Sequence, residues 1–435
     1  MTREDRWEPE SAQSTNRPSG QKRVVITGLG AVTPIGIGQK GLWEGVKRGV
    51  SAVQRVTRFD PGQFRSQVAA QVNDFDPQDW VHDGKKLRRL DRFSQFGLAA
   101  AMLALEDAGL NLKDAANPYS PEEVGCYIGT ALGGITYAEE QHEIYMTDGI
   151  RAVSPLLALS IFGGAASCNI AIELGINGPN IANANSCASG TIALGEAFRV
   201  IKQGVARAML AGGVEAPLAP LVYGSFSVIK AMSSANETPE LACRPFDRNR
   251  DGFVMAEGSA ILLLEEYESA VARNAPIYGE ILGYGTTNDA YHMTAPLPGG
   301  SQATRSMRMA LYEAGLSPAQ VGYINAHASS TPLNDKTETQ ALKQVFGELA
   351  YHLPISGTKG LHGHALGATG AIEAAICSLI FRHNFLPPTT NLRDADPECD
   401  LAYIKDEGLN CKVDTILSNS FGFGGINAAL VLGRV

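Results

Sequence analysis

No two of the seven cysteines form a CxxC pair, and their positions (126, 168, 187, 243, 377, 399, 411) follow no even-numbered framework. Neither a disulfide scaffold nor a zinc or other metal site is expected, and a reducing, cytoplasmic setting follows. Positive charge is not in excess. The 36 Lys and Arg stand against 45 Asp and Glu, net −9, which gives nucleic-acid binding no electrostatic support. An apolar leader is missing: residues 1–21 are polar and mix both charge signs, unlike a signal or transit peptide, and they read as a disordered tail. Two uncharged stretches, 152–172 and 174–195, reach the roughly 20 residues of a membrane span. Both carry Asn, Ser, Gly and Pro throughout, so they read as core and no membrane association is expected. A glycine is also missing at position 33, where Thr33 stands before Pro34. The run "GLGAVTPIG" therefore fails the dinucleotide fingerprint GxGxxG and reads as a strand (24–27) followed by a tight turn.

What is present points to an α/β protein with a large core: 435 residues, 44% hydrophobic, with 47 glycines scattered in short clusters. Apolar spacing predicts helices at 94–109, 188–203, 303–314, 336–346 and 370–382. It predicts strands at 124–130, 207–213, 260–265, 279–285, 321–326, 413–418 and 426–432. No Pro- or Ser-rich linker divides the chain, so any halves are packed together rather than tethered.

Three places carry reactive side chains. In "NANSCASGT", Cys187 sits among small residues between an apolar run and an amphipathic one (Leu194, Ala197, Phe198, Ile201) with Gly204 at its C-cap. A thiol at a helix N-terminus faces unpaired N–H groups, which favour thiolate. Cys126, Cys168 and Cys377 read as buried structural residues. "YINAHASSTPLND" sets His327 after a short strand, and "GTKGLHGHALGATG" sets Lys359, His362 and His364 in a glycine-rich loop before an apolar helix. "SNSFGFGG" is a flexible turn able to offer an N–H to an oxyanion. These residues suggest covalent thiol catalysis and acyl transfer, and leave hydrolase, thiolase and condensing enzyme open.

Together "SCASG", "RPFDRNRDGF", "NAHASSTPLND", "GTKGLHGHALGA" and "NSFGFGG" resemble the motifs of the β-ketoacyl-acyl-carrier-protein synthases, type II elongation enzymes above all, in order from about Lys22 to the C-terminus. The resemblance implies a thiolase-like five-layer α-β-α-β-α fold of two similar halves, 22–275 and 276–435, in a homodimer. It implies that an acyl group passes to Cys187 from the 4'-phosphopantetheine of acyl carrier protein, with no other cofactor. Malonyl-carrier protein then loses carbon dioxide and its enolate attacks the thioester. In this likeness His327 and His364 donate to the enolate, and Lys359, with Glu338 as its ion-pair partner, holds the charge of the site. The N–H groups of Cys187 and Phe423 form an oxyanion hole, and Phe423 is a gate. Ser329 and Thr331 bind the pantetheine amides, Leu132 lines the acyl pocket, and Thr294 and Phe421 complete the substrate set. Lys85, Arg88, Arg89, Arg151 and Lys230 match the surface that docks the acidic carrier.

The chain departs from the family pattern at Ala328 and Ala256, where glycine is usual, at His362, where threonine is usual, and at Ala152, where a basic residue is usual. No catalytic group is lost. The departures keep a specialised ketosynthase of secondary metabolism, or a chain-length partner subunit, as alternatives to the elongation enzyme.

Overall fold

Buried strands alternate with helices to give one unit twice. The computed structural model describes residues 21–405 and 407–435; the expected disordered tail, Gln21 apart, lies outside the described residues. The first unit holds strands β1 (Val24–Thr33), β2 (Val124–Gly129), β3 (Asn180–Asn183), β4 (Ala208–Glu215) and β5 (Gly258–Glu266). Its main helices are α1 (Arg92–Asp107), α2 (Ala165–Leu174) and α3 (Ser189–Lys202). The second holds β6 (Gly279–Asn288), β7 (Tyr323–Asn325), β8 (Ile355–Ser356), β9 (Thr415–Gly422) and β10 (Ile426–Gly433). Helices α4 (Ser301–Ala314), α5 (Pro332–Phe346) and α6 (Thr369–His383) accompany it.

The strand orders match: β1-β5-β4-β2-β3 in one half and β6-β10-β9-β7-β8 in the other. The senses match as well. β2 is parallel to β3 and β4, and β7 is parallel to β8 and β9, while the remaining neighbours are antiparallel. A short antiparallel contact, Val25 with Glu280 and Ile26 with Gly279, joins β1 to β6 and runs the two sheets on as one path. Helices α3 and α6 pack on each other and on strands of both halves, with α1 and α2 outside the first sheet and α4 and α5 outside the second. The result is the five-layer α-β-α-β-α arrangement. As a middle layer, α6 is buried on every side from Thr369 to Phe381, not on one stripe, because it meets apolar surface all round.

Element boundaries depart from expectation where packing overrides local signals. The first strand does not turn after Thr27; it continues through Gly28 and Gly30 to Thr33. Those glycines admit the backbone of α1: a Cβ on Gly28 would fall 2.1 Å from the Ala104 carbonyl oxygen, and on Gly30 1.8 Å from that of Ala100. Helix α5 starts at Pro332, four residues earlier than its apolar spacing suggests, because Thr331 caps it from the Asn334 N–H and proline suits the first turn. Strand β9 runs to Gly422, carrying the pairing into "SNSFG". The uncharged stretches 152–172 and 174–195 break into short helices and β3, and no helix among the described residues is long and apolar enough to cross a membrane.

Replacing Gly30 by Ala is expected to destabilise the fold by about 3 kcal/mol or more, since backbone must move to admit one methyl group. Denaturant unfolding measures this; an unchanged midpoint would mean that α1 can retreat from β1 at no cost.

Candidate active site

The reactive residues follow the C-terminal ends of strands: Cys187 after β3, His327 after β7, His364 after β8 and Phe423 after β9. In an α/β sheet these ends collect sites, because loops there converge while the strands stay rigid. The route to Cys187 is a sharp elbow. Ser186 takes φ 50°, a 3-10 turn spans Ser186–Ala188, and α3 begins at Ser189. The Ser189 hydroxyl bridges the Thr130 carbonyl at 3.0 Å and the Ser186 carbonyl at 2.8 Å, locking the turn.

Cys187, His327 and His364 line one cavity of about 400 Å³ together with Phe226, Phe253 and Phe423. The histidine rings meet edge to face, centroids 5.5 Å apart. Behind them lies Lys359, fully buried and off the cavity surface. Its Nζ donates to the His327 carbonyl oxygen, lies 3.5 Å from His327 Nδ1, and pairs with Glu373 at 2.6 Å. A Lys359 proton on Nδ1 leaves the His327 proton on Nε2. His364 Nδ1 meets the Thr369 hydroxyl at 2.9 Å, and a proton donated by that hydroxyl likewise puts the His364 proton on Nε2.

Electrostatics keep both rings neutral. Burial, then the Lys359 charge, then the opposite ring hold His327 well below the ordinary histidine range, and burial with Lys359 does the same to His364. The thiol departs from the sequence expectation. Burial pushes Cys187 up to about 11, outweighing the Lys359 charge and the Phe423 N–H that pull it down. Burial thus works against the helix terminus, because a desolvated thiolate is costly.

Glu338 is not the partner of Lys359. It accepts from the His327 and Ala328 N–H groups, both at 2.8 Å, and from the Asn419 amide at 3.3 Å. The partner is Glu373, which the sequence reading missed although it is the one acid within the apolar run of α6. Glu215 was missed likewise. It closes the apolar β4, accepts from the N–H groups of Ala131, Leu132 and Gly367, and ties the Leu132 loop to the turn before α6.

Leu132, Thr294, Ser329, Thr331 and Phe421 all line the cavity, the Ser329 and Thr331 hydroxyls being 2.9 Å apart. Phe423 stacks on Phe226 with centroids 6.3 Å apart. Lys85, Arg88 and Arg89 lie exposed on and after the short helix Gly84–Leu87; Arg151 and Lys230 are exposed too, and Lys230 reaches the cavity. His362 does not line the cavity; its Nε2 meets the Thr358 hydroxyl at 3.0 Å. Ala328 takes φ 46°, with its methyl against Gly357. Cys126 and Cys377 are buried as expected, whereas Cys168 is partly exposed.

Family profiles match in two parts: "Beta-ketoacyl synthase, N-terminal domain" over residues 21–270 and "Beta-ketoacyl synthase, C-terminal domain" over residues 278–393. Among curated proteins, a "3-oxoacyl-[acyl-carrier-protein] synthase 2" of Synechocystis sp. is 46% identical over 94% of this chain and 97% of its own. One from Coxiella burnetii is 44% identical over 95% and 99%. Among solved structures, a β-ketoacyl synthase from Burkholderia phymatum superposes with TM-score 0.87 at 36% identity, covering 95% of this chain and 100% of that one. A type II polyketide-synthase carrier protein in complex with its ketosynthase gives 0.86 at 37%, with the same coverage.

Iodoacetamide alkylation of Cys187 is expected to climb about tenfold per pH unit from about pH 7 to about pH 9 without levelling, since the thiol titrates toward about 11. A plateau reached below about pH 7 would instead reveal a thiolate stabilised by a charged histidine.

Proposed function

The chain belongs to the β-ketoacyl synthase family, and on that footing we propose that it elongates acyl chains on carrier protein by decarboxylative Claisen condensation. The observation that carries this reading is the convergence on one cavity of a buried thiol with two neutral, buried histidines. A hydrolase needs one base for water. Two uncharged N–H donors in the field of one buried cation suit an enolate better.

In the first step Cys187 Sγ attacks the carrier-bound thioester. The carbon–sulfur bond to the carrier breaks as the one to Cys187 forms, and the thiol proton leaves with the carrier's sulfur. The N–H groups of Cys187 and Phe423 meet the developing oxyanion. In the second step malonyl-carrier protein loses carbon dioxide, and its thioester oxygen takes up charge that His327 and His364 Nε2–H groups stabilise. The enolate carbon then attacks the Cys187 thioester and expels the sulfur as thiolate, which takes a proton from water to restore the thiol, and a β-ketoacyl product two carbons longer leaves on the carrier. Neutral rings serve here because each must bring a proton to the oxygen without a full charge beside Lys359. Ser329 and Thr331 hold the pantetheine arm, Leu132, Thr294 and Phe421 border the substrate, and Phe423, stacked on Phe226, gates the acyl branch. Side chains and backbone N–H groups of this chain supply every group in these steps, and no resident cofactor enters them.

The partner is acyl carrier protein. The exposed cations Lys85, Arg88, Arg89, Arg151 and Lys230 offer an acidic protein its complement. A second copy of the chain is the other partner. Among the described residues strand β3 ends the sheet with a free edge, and Ile161, Phe162, Ile172 and Ile181 beside it are exposed, a combination that pairing relieves. A cytoplasmic location suits these partners. Elongation is favoured over polyketide work because the curated elongation enzymes are 44–46% identical, above the 37% of the polyketide ketosynthase. The retained Cys187 argues against a chain-length partner subunit.

The test is a mass-resolved assay of the purified protein with malonyl-carrier protein and a ladder of saturated acyl-carrier proteins. Products two carbons longer, abolished by Cys187→Ala, are expected across medium and long chains. Absence of elongation at every length from a folded dimer would refute the reading.

A further inference from the structure

The motif "RPFDRNRDGF" (244–253) has no part in the steps above, yet four of its residues grip the segment that joins His327 to α5. The Arg244 N–H donates to the Ser330 hydroxyl at 3.0 Å and the Gly252 N–H to the Ser330 carbonyl at 3.2 Å. The Phe246 N–H donates to Asp335 in the first turn of α5 at 2.9 Å. Arg250, its side chain 3% exposed, spends two of its three nitrogens on this joint and anchors the third elsewhere. Nε donates to the Thr331 carbonyl at 3.2 Å, Nη2 to the Pro332 carbonyl at 3.0 Å, and Nη1 to the Asp247 carbonyl at 2.9 Å and to Asp396 at 2.6 Å.

The placement runs against the helix dipole, since a cation at a helix N-terminus is repelled by it. Asp335 at 3.5 Å and Asp396 offset the repulsion. The held carbonyls are the helix cap and its first residue, and the cap's own hydroxyl is one of the pair on the cavity wall. Thr331 Oγ1 takes the Asn334 N–H at 3.3 Å and lies 2.9 Å from the Ser329 hydroxyl. The backbone between them is strained, with Ser330 at φ 68°, a conformation that persists only where surrounding contacts over-determine it.

We propose that Arg250 is a positioning residue for the substrate arm: by fixing the carbonyls of Thr331 and Pro332 it aims the Ser329 and Thr331 hydroxyls, and so sets how tightly the pantetheine arm of the incoming carrier is held. This rests on the condensing function proposed above. Arg250 touches neither substrate nor the reacting atoms. Lysine cannot replace it, because a single ammonium nitrogen cannot span the separate acceptors that the planar fork reaches from three nitrogens.

The experiment compares wild type, Arg250→Lys and Asp396→Asn in steady-state condensation with malonyl-carrier protein, and in iodoacetamide alkylation of Cys187. The small reagent needs no pantetheine arm. Arg250→Lys should raise the KM for malonyl-carrier protein about tenfold with kcat and the alkylation rate within about twofold of wild type, the signature of lost ground-state binding. Asp396→Asn, which removes the charge of one anchor of the fork and weakens it, should shift KM in the same direction by less. An active wild type whose Arg250→Lys variant keeps its KM, loses kcat instead, or changes alkylation in parallel would overturn the assignment alone. If Arg250→Lys does not fold, Asp396→Asn decides by the same criteria. A wild type that condenses nothing would overturn the functional reading, and this assignment with it.

Discussion

One buried ammonium organises the site. Lys359 sits in a dry interior, with Glu373 as counter-ion and the His327 carbonyl as second acceptor. Removing either ion would leave the other buried and unpaired, which costs about 3–5 kcal/mol, so the pair holds itself in place. Its field reaches further than its contacts. It adds to the burial that keeps His327, His362 and His364 uncharged, and pulls the Cys187 thiol down against burial. A cavity that must build negative charge on substrate oxygen, and must not waste it on protonated rings, needs a fixed cation just behind its wall. Moving Lys359 to the surface of the cavity would exchange that field for a solvated charge.

Glu338 fits the same logic from the other side. It spends both oxygens on backbone N–H groups of the His327 loop, so it holds geometry, while Glu373 balances charge. Burial raises both carboxyls, and their partners pull both back. The sequence holds the residues for both tasks without saying which acid does which, since 21 positions separate Glu338 from Lys359 and 14 separate Glu373 from it. Only the tertiary path of α5 and α6 decides.

Much of the site was legible because chemistry leaves local marks: Cys187 in its small-residue nest, His327 after an apolar strand, and Lys359 with His364 among glycines. The alternating elements were legible too, apart from their ends. Local spacing could not reveal how β1 continues past Thr27, since the reason is the approach of the α1 backbone to Gly28 and Gly30. The burial that raises the Cys187 thiol was hidden for a related cause. The helix terminus is written in the sequence, whereas the depth of burial that outweighs it is set by all the layers together. Glu215 and Glu373 escaped notice because a lone acid in an apolar run signals a buried partner without naming it.

Duplication explains why strain gathers where it does. Ser186 opens the 3-10 turn before α3 with φ 50°, and Leu366 opens the turn before α6 with φ 40°. The two elbows are counterparts in the two halves, and their helices pack together in the middle layer. One elbow carries Cys187. Its counterpart carries Gly367, where a Cβ would fall 2.5 Å from the Ala131 nitrogen. Only one elbow can hold a side chain, because the other is the surface against which the Leu132 loop closes. Ala328 and Ser330 add two further left-handed residues beside His327. Each such residue costs about 1–2 kcal/mol, so the four represent a sizeable fraction of a domain's net stability. They are tolerable because the Ser189 hydroxyl holds the Ser186 turn, Glu215 the Gly367 N–H, Glu338 the His327 and Ala328 N–H groups, and Arg244 and Gly252 the Ser330 groups. The strained residues and the buried polar groups are thus one device: a serine hydroxyl on the thiol's elbow, and buried acids on the turns facing it, hold the backbone in shapes it would otherwise leave, and those shapes bring thiol and imidazoles from separate halves to a single cavity.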